Sequence, residues 1–140
     1  MQKMKLNKIN EVKTIFNKIS CKYDFLNTLL SLGLHKLWKK KLVYLLKPLD
    51  GEVWADLCCG TGDLAFLIYK KVSPNGSITG IDSAEEILNV AKKKSKLIKN
   101  KFIQWEVQDI FEIDEYSKIF DGICMAYGLR NLNNVKGGLK

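Results

Sequence analysis

Residues Val53 to Asp63 read Val-Trp-Ala-Asp-Leu-Cys-Cys-Gly-Thr-Gly-Asp, and this stretch decides the fold. An apolar strand carries Asp56, and Gly60 and Gly62 then open a tight turn that Asp63 hands to a helix. Lacking side chains, the two glycines let the backbone bend sharply and let a ligand lie directly against it. Twenty residues beyond Gly62, Asp82 closes a second strand, Ser77-Ile78-Thr79-Gly80-Ile81. An acid at that distance, at a strand end, is placed to accept both hydroxyls of a ribose. The pieces outline a nucleoside-binding βαβ unit, with Gly60, Thr61, Gly62, Asp82 and Ser83 expected around the ligand.

Two nucleoside cofactors fit such a unit. A dinucleotide fingerprint runs Gly-x-Gly-x-x-Gly, and here the third position is Ala65, which that fingerprint sometimes tolerates. The added signal is Asp56, an acid inside the strand just before the turn. A carboxylate there suits a ligand's ammonium or sulfonium, whereas it would repel a pyrophosphate. S-adenosylmethionine is therefore the expected cofactor, with Asp56 facing it. NAD is the alternative, but the sequence offers neither the further glycine nor a clear hydride-transfer acid.

Outward from this unit, strand and helix keep alternating. Strands are expected near 52–58, 77–82, 102–107 and 119–126, with helices near 63–72 and 84–98. Asp63 and Ser83 are placed to cap those two helices. The alternation predicts an α/β fold: a Rossmann-like, doubly wound parallel sheet. The third strand ends in Gln108-Asp109. Asp109, with Ile110 beside it, is expected at an adenine amino group, or else is a loop carboxylate in solvent. Asp121 is expected to support the start of the fourth strand. Lys92-Lys93-Lys94 reads as a solvated helix face.

Upstream of the turn signal Pro48-Leu49-Asp50-Gly51 the pattern is helical. Val12, Ile15, Phe16 and Ile19 predict an amphipathic helix over 8–20. Leucines from Leu26 to Leu46 predict two more, broken near Ser31 to Gly33. Residues 1–50 are thus expected to form a helical lid and substrate segment, and residues 51–140 the cofactor-binding part. The first fifty residues hold eleven lysines against three acids, the whole net charge of +8 in a chain of 140 residues. The remainder carries twelve basic and twelve acidic residues. A membrane surface, a nucleic acid or simply a lysine-rich composition would each account for the bias. Nucleic acid is not expected as a partner, because Arg130 is the single arginine and base-edge recognition favours arginine's fork.

No run of eighteen apolar residues or signal peptide is visible. Cys21, Cys58, Cys59 and Cys124 lack Cys-x-x-Cys spacing and nearby histidines. They are expected to be reduced thiols of a cytoplasmic protein, not metal ligands or disulfides.

Three stretches carry a family resemblance. Phe16 to Trp38 contains Tyr23-Asp24-x-x-Asn27 and His35-x-x-Trp38; Asp56 to Phe66 reads Asp-Leu-Cys-Cys-Gly-Thr-Gly-Asp-Leu-Ala-Phe; Tyr127 to Asn131 reads Tyr-Gly-Leu-Arg-Asn. Together they resemble the quinone C-methyltransferases of menaquinone, ubiquinone and phylloquinone biosynthesis, the UbiE/MenG group. The middle motif alone would indicate only a class I methyltransferase; the outer two are more specific. The Leu-Cys-Cys-Gly-Thr-Gly wording looks most like the cyanobacterial and plastid branch, which methylates demethylphylloquinone. There are departures: Asp82-Ser83-Ala84 lacks the aromatic usual after the acid, and Ile110-Phe111-Glu112-Ile113 replaces a Leu-Pro-Phe element. The resemblance covers the chain from about Val12 onward. Members of that group continue well beyond this length into a larger sheet. A truncated form with the first four strands is therefore expected, its fourth strand an uncovered edge.

The resemblance implies methyl transfer from S-adenosylmethionine to a ring carbon of a prenylated or phytylated quinol. The ring must lose a phenolic proton, and the methyl must lie in line with the carbon. Arg130 would stabilise a phenolate, and Asn131 would orient the ring oxygen or a water. His35, the single histidine, is the side chain suited to act as base near neutral pH, or else packs within the lid. Tyr23, Asp24, Asn27, Trp38 and Tyr127 are expected at the lid and substrate, or to cap and pack the first helices. Apolar lid helices beside positive charge suit a lipophilic quinol drawn from a membrane, which would make the protein peripheral there. Two other readings stay open: an inactive fragment that binds a membrane or partner, and a methyltransferase with another substrate.

Overall fold

The computed structural model describes residues 23–98, 102–112 and 120–128; the helix expected over 8–20 lies outside them. In chain order the elements are α1 (Tyr23–Leu30), α2 (Leu34–Leu46), β1 (Val53–Leu57), α3 (Asp63–Val72), β2 (Ser77–Asp82), α4 (Glu85–Leu97), β3 (Ile103–Val107), a 3-10 turn (Ile110–Glu112) and β4 (Gly122–Met125). The expected strands and helices of the sheet region are all present, trimmed by up to three residues at their ends. The break between α1 and α2 also falls where expected. Leu32 (φ 50°) and Gly33 (φ 79°) both take left-handed backbone there, and the Gly33 N–H donates to the Thr28 carbonyl.

The four strands are parallel, in the order β3-β2-β1-β4. The chain leaves β1 for β2 and β3 on one side and returns to β4 on the other. The strand order thus reverses at β1, and ligands of such sheets bind beyond the carboxyl ends of the strands at that point. The crossovers β1-α3-β2 and β2-α4-β3 run in the same direction, so right-handedness places α3 and α4 on one face. Trp54, Ile78, Ile103 and Cys124, on alternate strand positions, share one cluster with Leu64, Ala65, Ile68 and Val72 of α3. Val43 of α2 joins that cluster, which brings α2 onto the same face. The connection between β3 and β4 passes through residues 113–119, outside the described residues.

Asp121 supports β4 as expected. Its carboxylate accepts from the Val53 N–H at 2.8 Å, and its own N–H donates to the Val53 carbonyl at 2.8 Å. The helix caps differ from expectation. Gly62 and Ala84, not Asp63 and Ser83, precede α3 and α4, and neither supplies a side-chain cap. Strand carboxylates do that work: Asp56 accepts from the Ala65 N–H at 3.0 Å and Asp82 from the Ala84 N–H at 2.9 Å. In a βαβ unit the strand ends directly beneath the helix start. A strand-borne carboxylate therefore reaches the first-turn amides while the intervening turn stays free of side chains.

Candidate active site

The turn from β1 into α3 is held from below and from the side. Asp56 is 1% exposed; one oxygen takes the Ala65 N–H, and the other lies 3.8 Å from the Cys124 sulfur. Burial pushes this carboxyl up to about 7, although the Ala65 N–H and the Lys39 charge pull it down. Sequence reading placed Asp56 facing a ligand. In the structure its Oδ2 lies beneath the turn and fixes the start of α3.

Asp82 holds the turn from the neighbouring strand. Its Oδ2 accepts from the Gly60 N–H at 2.9 Å while Oδ1 takes Ala84, so one carboxylate joins the glycine turn to the end of β2. The Cys59 N–H donates to the Ile81 carbonyl at 3.0 Å and closes the last rung. Trp105 of β3 explains why Gly62 and Gly80 must be glycine. A Cβ at Gly62 would lie 2.4 Å from the Trp105 ring, and one at Gly80 would lie 2.5 Å from it. Gly62 is also left-handed, at φ 82°. The indole N–H donates to the Ser95 hydroxyl at 2.9 Å, so Trp105 is locked as the floor of the turn.

Residues from other strands converge here. A Cβ at Gly128 would meet the Cys58 side chain at 2.5 Å, which places the segment after β4, with Tyr127 (φ 64°), against the same turn. Burial pushes the Cys58 thiol up to about 12, with Asp82, Asp56 and Asp109 adding to it. Three carboxylates from three strands thus act on one point. Asp109 follows β3 and accepts from the Phe111 N–H at 3.2 Å, and Ile110 opens the 3-10 turn beside it. Cys59 and Cys124 are likewise raised by burial and carboxylates, so these three thiols stay protonated. Among the described residues no group of three or more His, Cys, Asp or Glu side chains could hold a metal ion.

The N-terminal helices dock on the turn through charge. Thr61, 3% exposed, donates its hydroxyl to Asp24 Oδ1 of α1 at 2.5 Å. Lys94 of α4 bonds Asp24 Oδ2 at 2.5 Å, the Thr61 carbonyl at 3.3 Å and Asp63 at 3.3 Å. Lys39 of α2 pairs with the other Asp63 oxygen at 3.0 Å. Burial alone would raise Asp63, but Lys39 and Lys94 outweigh it and hold it below its ordinary value. Sequence reading left Lys94 in a solvated run, and that is corrected here. Its spacing from the buried Ile87 and Ala91 was the available signal, since positions three and seven apart share a helix face. For Trp105 no local signal existed.

His35, at the start of α2, is 5% exposed. Burial and then Lys39 lower its pKa, so it is neutral near pH 7. The Ser31 hydroxyl donates to the Asn27 carbonyl at 2.6 Å and lies 2.8 Å from His35 Nδ1. With its proton committed to Asn27, Ser31 accepts from Nδ1–H, and Nε2 keeps the ring's lone pair. Asp24 and Thr61 meet at the turn, and Asn27 supports His35 through Ser31. Ser83 is half-buried just past β2. Trp38, 55% exposed, lies on the outer side of α2 and is not gathered with them. The Tyr23 side chain, Arg130 and Asn131 lie outside the described residues.

A parallel sheet with a glycine turn at its reversal point, gripped by an acid from the next strand, defines a nucleoside-binding α/β protein. The same fold is seen in a SAM-dependent methyltransferase from Aquifex aeolicus, at a TM-score of 0.66 and 23% identity over 72% of this chain and 54% of that one. The chain matches the ubiE/COQ5 methyltransferase family over residues 1–140 and belongs to it. Its relatives include the chloroplastic 2-phytyl-1,4-beta-naphthoquinone methyltransferase of Arabidopsis thaliana, 41% identical over 88% of this chain and 48% of that protein. The demethylmenaquinone methyltransferase of Staphylococcus aureus is 36% identical over 96% of this chain and 56% of its own length. The chain spans about half the length of these curated relatives.

Proposed function

We propose that the protein binds S-adenosylmethionine at the glycine turn and works in methyl transfer to a ring carbon of a prenylated or phytylated quinol. One observation carries the reading: the Asp82 carboxylate, at the end of β2, grips the Gly60 N–H of the turn at 2.9 Å. A carboxylate at that strand end stands where ribose hydroxyls are bound in such folds. Asp109 and Ile110, one strand further, flank the adenine. Gly60, Thr61 and Gly62 supply backbone against which the amino-acid end of the cofactor lies, with Ser83 at the rim. Asp56 does not touch the ligand in this reading; it holds the turn in shape. This donor set suits a nucleoside with a cationic centre, because carboxylates surround it and no described arginine awaits a pyrophosphate.

Bound there, the cofactor supplies an electrophilic methyl group. The chain's task is to present an electron-rich ring to it. His35 Nε2 is the proton acceptor for a ring hydroxyl, directly or through one water. Arg130 and Asn131, following Tyr127, stabilise and orient the ring oxygen. Residues 1–50 act as the lid and residues 51–140 as the cofactor-binding part. The named activities of the Arabidopsis and Staphylococcus relatives support a naphthoquinol as substrate. Such a substrate resides in a membrane, so the protein works at a membrane surface. No described helix is long and apolar enough to cross one.

Isothermal titration of the chain with S-adenosylmethionine and, separately, NAD tests the cofactor. Binding of the methyl donor alone is expected; binding of NAD alone would overturn the reading. Transfer of labelled methyl to a reduced 2-phytyl- or 2-prenyl-naphthoquinone tests the substrate. Loss of cofactor binding in Asp82→Ala ties the result to the turn.

A further inference from the structure

Helix α2 is apolar on two sides. Its inner side carries His35, Leu42, Val43 and Leu46 and packs toward the sheet. Its outer side carries Leu34, Leu37, Trp38 and Leu45, spaced three, four and seven apart and therefore on one stripe. Leu37, Trp38 and Leu45 are each more than half exposed, and Leu34 is 44% exposed. A helix that serves only as a lid needs one apolar side, not two. The end of α1 and the loop before α2 add Leu30 and Leu32, both more than four-fifths exposed. Exposed Lys41 lies within the stripe, four residues from Leu37 and from Leu45, and exposed Lys40 stands at its edge, three residues from Leu37. Helix α2 itself carries no acid, and Asp24 of the preceding helix is engaged by Lys94 and Thr61.

We propose that the outer stripe of α2, continued by Leu30 and Leu32, is a docking face for an anionic lipid bilayer. The leucines and Trp38 enter the acyl boundary, and these lysines meet the headgroups. Charge complementarity selects this occupant. An apolar stripe bordered by cations and free of acids is what an anionic interface takes, whereas a second copy of this chain would set lysine against lysine. Trp38 also has the amphipathic ring that favours the headgroup level.

The consequence deepens the functional reading above, on which it rests. The same helix turns Lys39 inward to Asp63 at 3.0 Å, and its first turn holds His35. One helix thus has the bilayer on one side and the glycine turn on the other. A quinol whose tail stays in the lipid can present its ring to the site without crossing water. Trp38, expected from the sequence at the lid and substrate, faces the bilayer in this arrangement.

The test uses the whole chain with phosphatidylcholine vesicles, with and without phosphatidylglycerol. Co-sedimentation with the anionic vesicles is expected, with Trp38 emission quenched by brominated acyl chains. Trp54 is buried, and Trp38→Phe identifies the quenched ring. Leu37→Glu with Trp38→Glu is expected to weaken binding roughly tenfold or more. Each of Lys40→Ala and Lys41→Ala is expected to weaken it about fivefold. Retained titration with S-adenosylmethionine shows that these surface variants fold. Absence of vesicle binding by the native chain would overturn the proposal, as would binding that ignores the double variant. Concentration-dependent dimerisation abolished by that variant would assign the face to a second copy and overturn it too. Failure of cofactor binding with vesicle binding intact would instead count against the functional reading alone.

Discussion

The glycine turn and the helices that cover it are held by opposite means. The turn rests on short contacts to the backbone: buried Asp56 to the Ala65 N–H, half-buried Asp82 to the Gly60 and Ala84 N–H groups, and Trp105 wedged under Gly62 and Gly80. The helices are tied down by long side chains, Lys39, Lys94 and Asp24, whose ends remain between 15 and 40% exposed. Backbone amides held by short, strand-borne carboxylates have few alternatives. Long charged side chains in partial contact with water exchange partners at small cost. The comparison teaches that this molecule keeps its cofactor floor rigid and leaves its cover adjustable. Under the proposed function, a lipophilic quinol would use such a division, the cover opening toward the bilayer while the floor keeps its geometry.

Four measurements would break or sharpen the contrast. The largest effect is expected for Gly62→Ala, which places a methyl against the Trp105 ring on left-handed backbone. It should cost on the order of 3 kcal/mol in urea unfolding, and a loss below about 1 kcal/mol would mean that the floor is soft. Next comes pH. The Asp56 carboxyl is raised to about 7 in the folded chain, so between its ordinary value and about 7 the native state holds the extra proton. Its contribution is full below the ordinary value and is lost as pH rises through about 7. Stability should fall across that window, and Asp56→Asn should abolish that slope. An unchanged slope would place the titration elsewhere.

A smaller effect is expected for Asp82→Ala. It should weaken S-adenosylmethionine binding by roughly tenfold or more, through lost hydroxyl acceptors and a loosened Gly60. Equal affinity would remove Asp82 from the site. The smallest belongs to the cover. Lys94→Met should cost about 0.5–1 kcal/mol, and the difference from the native chain should shrink with added salt. A large, salt-independent loss would show the cover to be as rigidly built as the floor.

The strands, α3, α4 and the break before α2 were legible because each depends on residues close in the chain. Apolar alternation, the Gly60–Gly62 pair and the Leu32–Gly33 kink need no partner to be read. The roles of Asp56, Lys94 and Trp105 were not legible. Asp56 stands where a ligand-facing acid would stand, and burial under α3 decides that it serves the turn. Lys94 looks like one of three solvated lysines until α1 is folded against it, bringing Asp24 within reach across seventy positions.

By itself, the sequence determined the alternation of strand and helix, the glycine turn and the two strand-end acids, because backbone preference and side-chain periodicity act over a few residues. Tertiary structure alone decided which carboxylates hold the turn, that Trp105 forms its floor, and that α2 shows an apolar stripe to each side. Those outcomes depend on which surfaces meet when distant segments pack, and local spacing carries no record of that meeting.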